Sequence, residues 1–400
     1  MLNCHFEVLD LTERLYYTDG HASHFVSRVV SCGRCGDGFD VRLERTAFFP
    51  GGGGQEADSG TLGGMRIARL AETEDGDIAH ILPGPLEPGT EVEGTVDWDV
   101  RFARMQSHSG EHIVSGTVHR LFGYDNVGFH MGENAMTLDF SGELSPQDIE
   151  AVELEANRAV WRNVPVRTLL PGREELKALD FRSKKELAGQ VRLVEIEGVD
   201  LCACCAPHVA RTGEIGVIKV IDSMRHRGGT RLTVLAGEAA YRDYAAVHVQ
   251  NSAVSAALSA KRLETALAVR KALAEREELR SALTALKKEL LGLKAASLVP
   301  TEGNMCLFEP DMDPVTLREL VNAGMEAAGG VCAAFSGVDG DYRYIIGSRN
   351  VDLRAAAREI NAAISGRGGG TGTMIQGSCR ASRAEIEQYF ASAAAKFTDY

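Results

Sequence analysis

Residues 108–112 read His108-Ser109-Gly110-Glu111-His112, inside a stretch from Met105 to Leu121 whose apolar residues recur at helical spacing. Two histidines four residues apart on a helix share one face, about one turn apart. Imidazole nitrogens are favoured zinc ligands, so this pair is a candidate half of a metal site. Alone, such a pair is more typical of an ordinary helix face, and further ligands are needed.

A second pair with the same spacing comes later in the chain. Cys204 and His208 offer a thiolate and a third imidazole, which are also ligand types that zinc favours. The sequence therefore predicts one Zn²⁺ per chain, held by His108, His112, Cys204 and His208.

Other cysteines compete with this prediction. Cys202 and Cys205 flank Cys204, and Cys32 and Cys35 form a separate C-x2-C pair. The four could form a closed, all-thiolate structural site, although that would leave the histidines unexplained. The alternative to both is that the cysteines are inert.

A glycine-rich segment is the third informative stretch. It runs from Thr46 to Gly60 and contains four consecutive glycines, 51–54, followed by Gln55. Glycines let a backbone approach a ligand closely and leave amide donors for a carboxyl or phosphate oxygen. The segment lacks the G-K-[ST] ending of a P-loop. By itself it would be no more than a flexible loop.

Together, and in this order, the three segments resemble the editing domain of alanyl-tRNA synthetase and its free-standing relatives, the AlaX trans-editing proteins. Residues 46–60 resemble the glycine motif of that family, residues 108–112 its H-x3-H helix, and residues 200–216 its C-x3-H motif with a trailing T-G-E-I-G. The segment 329–377 resembles the DHH-associated domain that ends the long AlaX form. Its glycine motif comprises Gly368, Gly369, Gly370, Gln376 and Gly377.

The resemblance implies an aminoacyl-tRNA deacylase: a trans-editing hydrolase that removes serine, and in some members glycine, wrongly attached to the alanine tRNA. Thr46 is the candidate reader of the serine hydroxyl, because a site that hydrogen-bonds a hydroxyl rejects the analogue that lacks it. The alternative is that Thr46 simply ends a strand. Gly53, Gly54 and Gln55 would hold the ester or the terminal adenosine.

Two motifs depart from the family pattern. The usual C-G-G-T-H is Cys204-Cys205-Ala206-Pro207-His208 here, which removes amide donors and a hydroxyl. The usual H-T-x-x-H is His108-Ser109-Gly110-Glu111-His112, which places Glu111 beside a ligand as candidate catalytic support. These changes bear on the range of substrates more than on the metal.

Two rival functions follow from the same residues. Residues 108–112 also satisfy H-x-x-E-H, a zinc metallopeptidase motif in which Glu111 would be the general base. The other rival is a non-enzymatic tRNA-binding module whose zinc is purely structural.

We predict an α+β chain of four parts. These are a glycine-rich β-barrel domain at 1–95, a zinc-containing editing domain at 96–245, a long coiled-coil-like helical linker at 246–300, and a DHH-associated α/β domain at 301–400. The linker contains no proline before Pro300, and leucines at 279–293 recur at heptad spacing. A homodimer through the helix or the last domain is therefore an expectation.

The net charge of −13 is that of an acidic protein, unlike a general nucleic-acid binder. Residues 251–300 are the exception, with nine Lys/Arg against five Asp/Glu. The expected partner, the acceptor end of tRNA(Ala), would be gripped by basic side chains: Arg211, Lys261, Arg262, Arg270 and Lys271. With no basic leader and no apolar run of about 18–20 residues, we expect a cytoplasmic protein that does not enter membranes.

Overall fold

The computed structural model describes residues 11–132, 135–183 and 191–393. The chain falls into two compact units, residues 1–253 and 254–400. Within the described ranges, no helix is both long enough and apolar enough to cross a membrane.

The first unit begins with nine short strands. They are β1 (Glu13–Arg14), β2 (His24–Cys35), β3 (Gly38–Leu43), β4 (Arg45–Thr46), β5 (Gly60–Leu62), β6 (Met65–Arg66), β7 (Arg69–Glu72), β8 (Ile78–Leu82) and β9 (Glu91–Val96). Seven of them form an antiparallel sheet in the order β6-β5-β9-β2-β3-β8-β7, and β1 pairs with β4.

The predicted closed barrel is wrong. The edge strands β6 and β7 are two and four residues long and each pairs with a single neighbour, and no ladder joins them in the part of the chain that the structure describes. Strands this short offer too few backbone hydrogen bonds to close the sheet. Strand β2 runs through Cys35, and the turn that joins it to β3 is only Gly36-Asp37.

The middle of the unit packs helices against antiparallel sheets, which confirms the α+β class. Its helices are α1 (Trp98–Phe122), α2 (Pro146–Arg162) and α3 (Arg173–Ala178). The sheet β10-β11-β16-β15 comprises β10 (Asn126–Met131), β11 (Met136–Phe140), β15 (Ile218–His226) and β16 (Gly229–Ala236). A second sheet comprises β12 (Val166–Leu169), β13 (Leu193–Ile196) and β14 (Asp200–Ala203). Buried residues such as Ile113, Leu138, Val152 and Val234 fill the core between α1, α2 and the four-stranded sheet.

The predicted long linker helix is two helices. Helix α4 spans Glu238–Ala257 and α5 spans Thr265–Ala296. Between them Ser259 adopts a left-handed backbone with φ of 49°, and the hydroxyl of Ser255 donates to the carbonyl of Ala260. No residue of α5 is buried, so its heptad leucines are solvent-exposed. The homodimer stays a prediction.

The second unit ends in a mixed sheet with three further helices. Its elements are β17 (Met305–Glu309), α6 (Pro314–Ala327), β18 (Val331–Val338), β19 (Asp341–Ser348), α7 (Leu353–Ala363), β20 (Gly366–Gly370), β21 (Met374–Cys379) and α8 (Arg383–Ser392). The order is β17-β18-β19-β21-β20, and only the β17–β18 pair is parallel. Helix α6 connects the parallel strands β17 and β18, whereas β18 and β19 join by a hairpin at Asp339-Gly340.

Candidate metal centre

Helix α1 supplies two of the predicted ligands from its buried middle. His108 and His112 are 2% and 1% exposed, and their ring centroids are 5.5 Å apart. The helix ends at Gly123, whose φ of 69° is the left-handed conformation that terminates helices. The i, i+4 spacing therefore places both imidazoles on one buried face.

The other two ligands lie just after strand β14, in a loop that a buried arginine holds. The guanidinium of Arg192 donates to the carbonyls of Cys204 at 2.8 Å and Ala206 at 2.9 Å. It also donates to the Tyr17 carbonyl at 3.3 Å and the Thr168 hydroxyl at 3.1 Å. These contacts fix the backbone on which Cys204 is carried.

The four predicted ligands converge. Their ligating atoms all lie within 4.8 Å of one another. The Cys204 Sγ lies 3.6 Å from His108 Nε2 and 3.3 Å from His208 Nε2. Zinc–nitrogen bonds of about 2.0–2.1 Å and a zinc–sulfur bond of about 2.3 Å at tetrahedral angles would separate sulfur from nitrogen by about 3.5 Å. The donor set and its spacing thus fit zinc.

Each imidazole of the cluster is anchored through its Nδ1 atom. His108 Nδ1 lies 2.9 Å from Gln55 Oε1, His112 Nδ1 lies 3.0 Å from Asp200 Oδ2, and His208 Nδ1 lies 3.0 Å from Ser109 Oγ. An imidazole that donates its Nδ1 proton keeps the Nε2 lone pair for a metal. The anchors therefore suit a site that uses all three Nε2 atoms.

Glu111 lies beside the cluster and is fully buried. Its Oε1 accepts hydrogen bonds from the Ser115 hydroxyl at 2.6 Å and the Asn126 amide at 2.8 Å. Its Oε2 is 3.9 Å from His112 Nε2. The carboxylate is thus held in place next to a ligand.

The competing cysteines are arranged differently. His112, Asp200 and Cys202 form a second group of metal-binding type, but Arg182 makes a two-point salt bridge with Asp200, so its carboxylate is already neutralised. In the ranges that the structure describes, neither Cys32 nor Cys35 belongs to such a group. The all-thiolate alternative is therefore not formed.

The glycine-rich segment makes a tight turn next to the cluster. Gly52 and Gln55 pair through two backbone hydrogen bonds of 2.9 and 3.0 Å, and all four glycines 51–54 have positive φ. At Gly54 a Cβ atom would lie 2.5 Å from the ring of Phe129. The turn therefore needs glycine both for its conformation and for its close packing.

A cavity of about 460 Å³ opens between the turn and the ligands. Its lining includes Gly53, Gly54, His108, His112 and Cys204. This volume lies within the usual range of small-molecule sites, about 300–1,000 Å³. The cavity therefore brings two of the predicted substrate-binding glycines and three of the predicted metal ligands together.

Thr46 and Gln55 do not line this cavity. Thr46 is fully buried, its hydroxyl lies 2.9 Å from His80 Nε2, and it accepts a hydrogen bond from the amide of Phe48 at 3.2 Å. Burial lowers the pKa of His80 to about 4. Gln55 is also buried, and its amide Nε2 has no hydrogen-bond partner within the described part of the chain.

The remaining predicted residues lie elsewhere. Arg211 is exposed, donates to the carbonyl of Asn163, and does not line the cavity. The basic residues of the linker are likewise exposed: Lys261, Arg262, Arg270 and Lys271. The C-terminal glycine motif forms paired strands in the second unit, Gly368–Gly370 in β20 and Gln376 with Gly377 in β21.

Zinc binding should release a proton from Cys204. Burial raises the pKa of this thiol to about 12, so the free protein holds it protonated at neutral pH, whereas a zinc ligand is a thiolate. We expect about one proton per zinc at pH 8 and an affinity that rises about tenfold per pH unit. Calorimetric titration in buffers of different ionisation enthalpy measures this release. Cys204→Ser is the control, and a wild-type titration without proton release would contradict the prediction.

Known proteins resemble the part of the chain that carries these residues. Residues 191–232 match the family model described as the threonyl and alanyl tRNA synthetase second additional domain. The chain is 32% identical over 221 residues to the alanyl-tRNA editing protein AlaX-L of Pyrococcus horikoshii, which covers 53% of this chain and 54% of that one. Over about half of its length the chain is therefore similar to the AlaX-type alanyl-tRNA editing proteins. Among these relatives, Aarsd1 of Danio rerio is 33% identical over 205 residues, half of each chain.

The similarity extends beyond the editing proteins. An alanine–tRNA ligase of Ignicoccus hospitalis is 28% identical over 402 residues, or 97% of this chain and 43% of the ligase. The C-Ala domain from Aquifex aeolicus alanyl-tRNA synthetase matches 26% of this chain and 96% of its own at 17% identity, with a TM-score of 0.21, too low to compare folds. The chain spans about half the length of the curated editing relatives it matches.

Sequence reasoning missed the residues that hold the ligands in place. The sequence patterns indicate no role for Asp200, Arg182 or Arg192, and they mark Ser109 only as a departure from the motif. Asp200 lies four residues before Cys204, which was the one local signal. The positions of Arg182 and Arg192 become meaningful only when the three-stranded sheet brings them against the cluster.

Proposed function

We propose that this protein is a trans-editing hydrolase that deacylates mischarged Ser-tRNA(Ala), with one zinc ion at His108, His112, Cys204 and His208; Gly-tRNA(Ala) is the second substrate to test. The observation that carries the proposal is the convergence of these four side chains at a cavity bordered by the glycine turn. The kinship with the editing proteins supports the substrate class.

The chain's own residues divide the work of the proposed site. Gly53 and Gly54 border the cavity, where their backbone can approach the ester or the terminal adenosine. Gln55 does not line the cavity, but its Oε1 lies 2.9 Å from His108 Nδ1, so its part in the proposed site would be to orient that ligand. The Glu111 carboxyl group lies 3.9 Å from a metal ligand, where it would give catalytic support.

When bound, zinc supplies a positive charge that polarises an ester carbonyl or anchors the substrate. The four side chains would fill the four positions that zinc usually offers, which favours a role in positioning the site over direct contact with the substrate, unless one ligand leaves. The partner would be the acceptor end of tRNA(Ala), with Arg211, Lys261, Arg262, Arg270 and Lys271 proposed to meet its phosphates.

Thr46 is proposed to select serine over alanine. We expect rapid loss of serine from Ser-tRNA(Ala), alanine largely spared, and a serine preference reduced about 10- to 100-fold in Thr46→Val. Deacylation of Ser-, Gly- and Ala-tRNA(Ala) measures this, and Thr46→Ser, which keeps the hydroxyl, is the matched control. Because Thr46 is buried against His80, a purely structural role predicts lower stability of Thr46→Val with an unchanged serine-to-alanine ratio, which would reject the assignment.

The same assays separate the rival functions. Hydrolysis of peptides that is lost in Glu111→Gln with zinc retained would favour the metallopeptidase. Binding of tRNA with no release of serine above the buffer rate would favour the non-enzymatic module. The closeness of Cys204 and His208 to the two helix histidines argues against the peptidase, because a peptidase of that type takes a carboxylate as its third ligand.

A further inference from the structure

Behind the proposed metal ligands, one histidine differs from the other two in the chemistry of its anchor. His108 and His208 meet neutral groups, the Gln55 amide and the Ser109 hydroxyl, whereas His112 meets the Asp200 carboxylate at 3.0 Å. An ionised carboxylate can only accept, so it fixes the proton on Nδ1 of His112. The Ser109 hydroxyl can donate or accept, so it does not by itself fix the tautomer of His208.

Asp200 is itself held rigidly. The Arg182 guanidinium donates from Nε to Oδ1 at 2.7 Å and from Nη2 to Oδ2 at 2.8 Å, and the Asp200 side chain is 2% exposed. The backbone of Arg182 is tied to strand β14 by hydrogen bonds with Leu201 and Ala203 of 2.8 and 2.9 Å. The carboxylate therefore has one orientation, and a lone pair of Oδ2 faces His112.

Helix α1 makes room for this contact one turn after His112. A Cβ atom at Gly116 would lie 2.6 Å from the Val199 carbonyl and 2.8 Å from the Asp200 Cβ. Any side chain at this position would push β14 away from the helix. The glycine thus permits the approach of Asp200 to His112.

We propose that Asp200 is a positioning residue, which fixes the tautomer and ring orientation of His112 and thereby raises the affinity of the site for zinc. Arg182 holds the Asp200 carboxylate in place, and Gly116 leaves room for its approach to His112. This inference rests on the proposed metal site. A hydrogen-bonded carboxylate behind a ligating histidine makes the imidazole a stronger ligand, and loss of such a partner costs about 10- to 100-fold in metal affinity.

Asp200→Asn is the direct test, because it keeps the shape and removes the charge. An asparagine amide can turn its NH₂ towards Nδ1, which would move the imidazole proton to Nε2 and block the metal. We expect the dissociation constant for zinc, measured by competition with a chromophoric chelator, to rise about 10- to 100-fold. The d–d absorption of bound Co²⁺ should change in the same variant, which a change of stability alone would not cause.

Asp139→Asn is the matched control. Asp139 also forms a two-point salt bridge with an arginine, Arg231, and lies 3.7 Å from a histidine, His226, but belongs to no metal-binding group of the described residues. The Asp139→Asn protein should bind zinc with the affinity of the wild type. Arg182→Lys keeps the positive charge but loses the two-point contact of the guanidinium, so it should weaken zinc binding by a smaller factor. It replaces Asp200→Asn as the test if that variant does not fold.

The outcomes are distinct. If the wild type binds zinc and Asp200→Asn or Arg182→Lys binds zinc equally well, with an unchanged Co²⁺ spectrum, the positioning role is overturned. The proposed function would still stand. Wild type that binds no zinc overturns the metal site and this inference with it. Weaker binding in Asp200→Asn with wild-type binding in Asp139→Asn supports it.

Discussion

Replacing Cys204 by alanine is expected to remove zinc from the purified protein and to slow release of serine from Ser-tRNA(Ala) at least about a hundredfold. The Cys204 Sγ is the sole sulfur in the four-residue cluster and lies within 3.6 Å of two imidazole nitrogens. Its loss leaves three neutral imidazoles and removes the one ligand that carries charge. Metal content by mass spectrometry and single-turnover deacylation measure the two effects.

Cys35→Ser is the control for this variant. Cys35 is an exposed cysteine at the end of β2 and belongs to no metal-binding group in the described ranges. It should keep zinc and full activity. A Cys204→Ala protein that keeps stoichiometric zinc would show that another residue, with Cys205 the nearest candidate in sequence, takes the role. One that loses zinc but keeps its rate would show that the metal is structural.

Local signals in the sequence were sufficient wherever the structure is decided locally. Serine is a common N-cap residue and proline is common at the first helical position, and in the structure Ser145 caps α2, with Asp148 completing a reciprocal capping box. The i, i+4 spacing at residues 108–112 and 204–208 predicted two ligand pairs without information on the fold. The structure brings them together because α1 packs against β14.

Other features depend on distant contacts that no local pattern records. The glycines at 366–370 form β20, and at Gly368 a Cβ atom would lie 2.3 Å from the Tyr344 hydroxyl, so a contact distant in sequence requires glycine there. The break between α4 and α5 falls in a stretch without proline or glycine. The anchors Asp200 and Arg182 are separated from His112 by at least 70 residues of chain, so only the folded structure connects them.

Removing the buried guanidinium of Arg101 is expected to lower the free energy of unfolding of the first unit by about 3–5 kcal/mol. Arg101 and Asp58 are 0% and 1% exposed in their side chains and form a two-point salt bridge. Arg101→Met would leave the Asp58 carboxylate buried, although the Phe49 amide donates to it at 2.7 Å. Urea unfolding followed by tryptophan fluorescence reports this unit specifically, because Trp98 and Trp161 are the only tryptophans of the chain.

The Arg101–Asp58 salt bridge also links the glycine turn to helix α1, which carries His108 and His112. Arg101 lies on α1 two turns before His108 and donates to the Ala47 carbonyl at 2.5 Å, while Asp58 closes the far end of the segment 47–58. Its loss should therefore reduce deacylation as well as stability.

Arg158→Met on α2 is the control, since its exposed pair with Glu155 is worth below about 1 kcal/mol. Adding Asp58→Asn to Arg101→Met removes the stranded charge and should restore part of the lost stability. If Arg101→Met lowered the free energy of unfolding no more than Arg158→Met does, the buried salt bridge would not stabilise the glycine turn. The turn would then be held by the backbone conformation of its glycines alone.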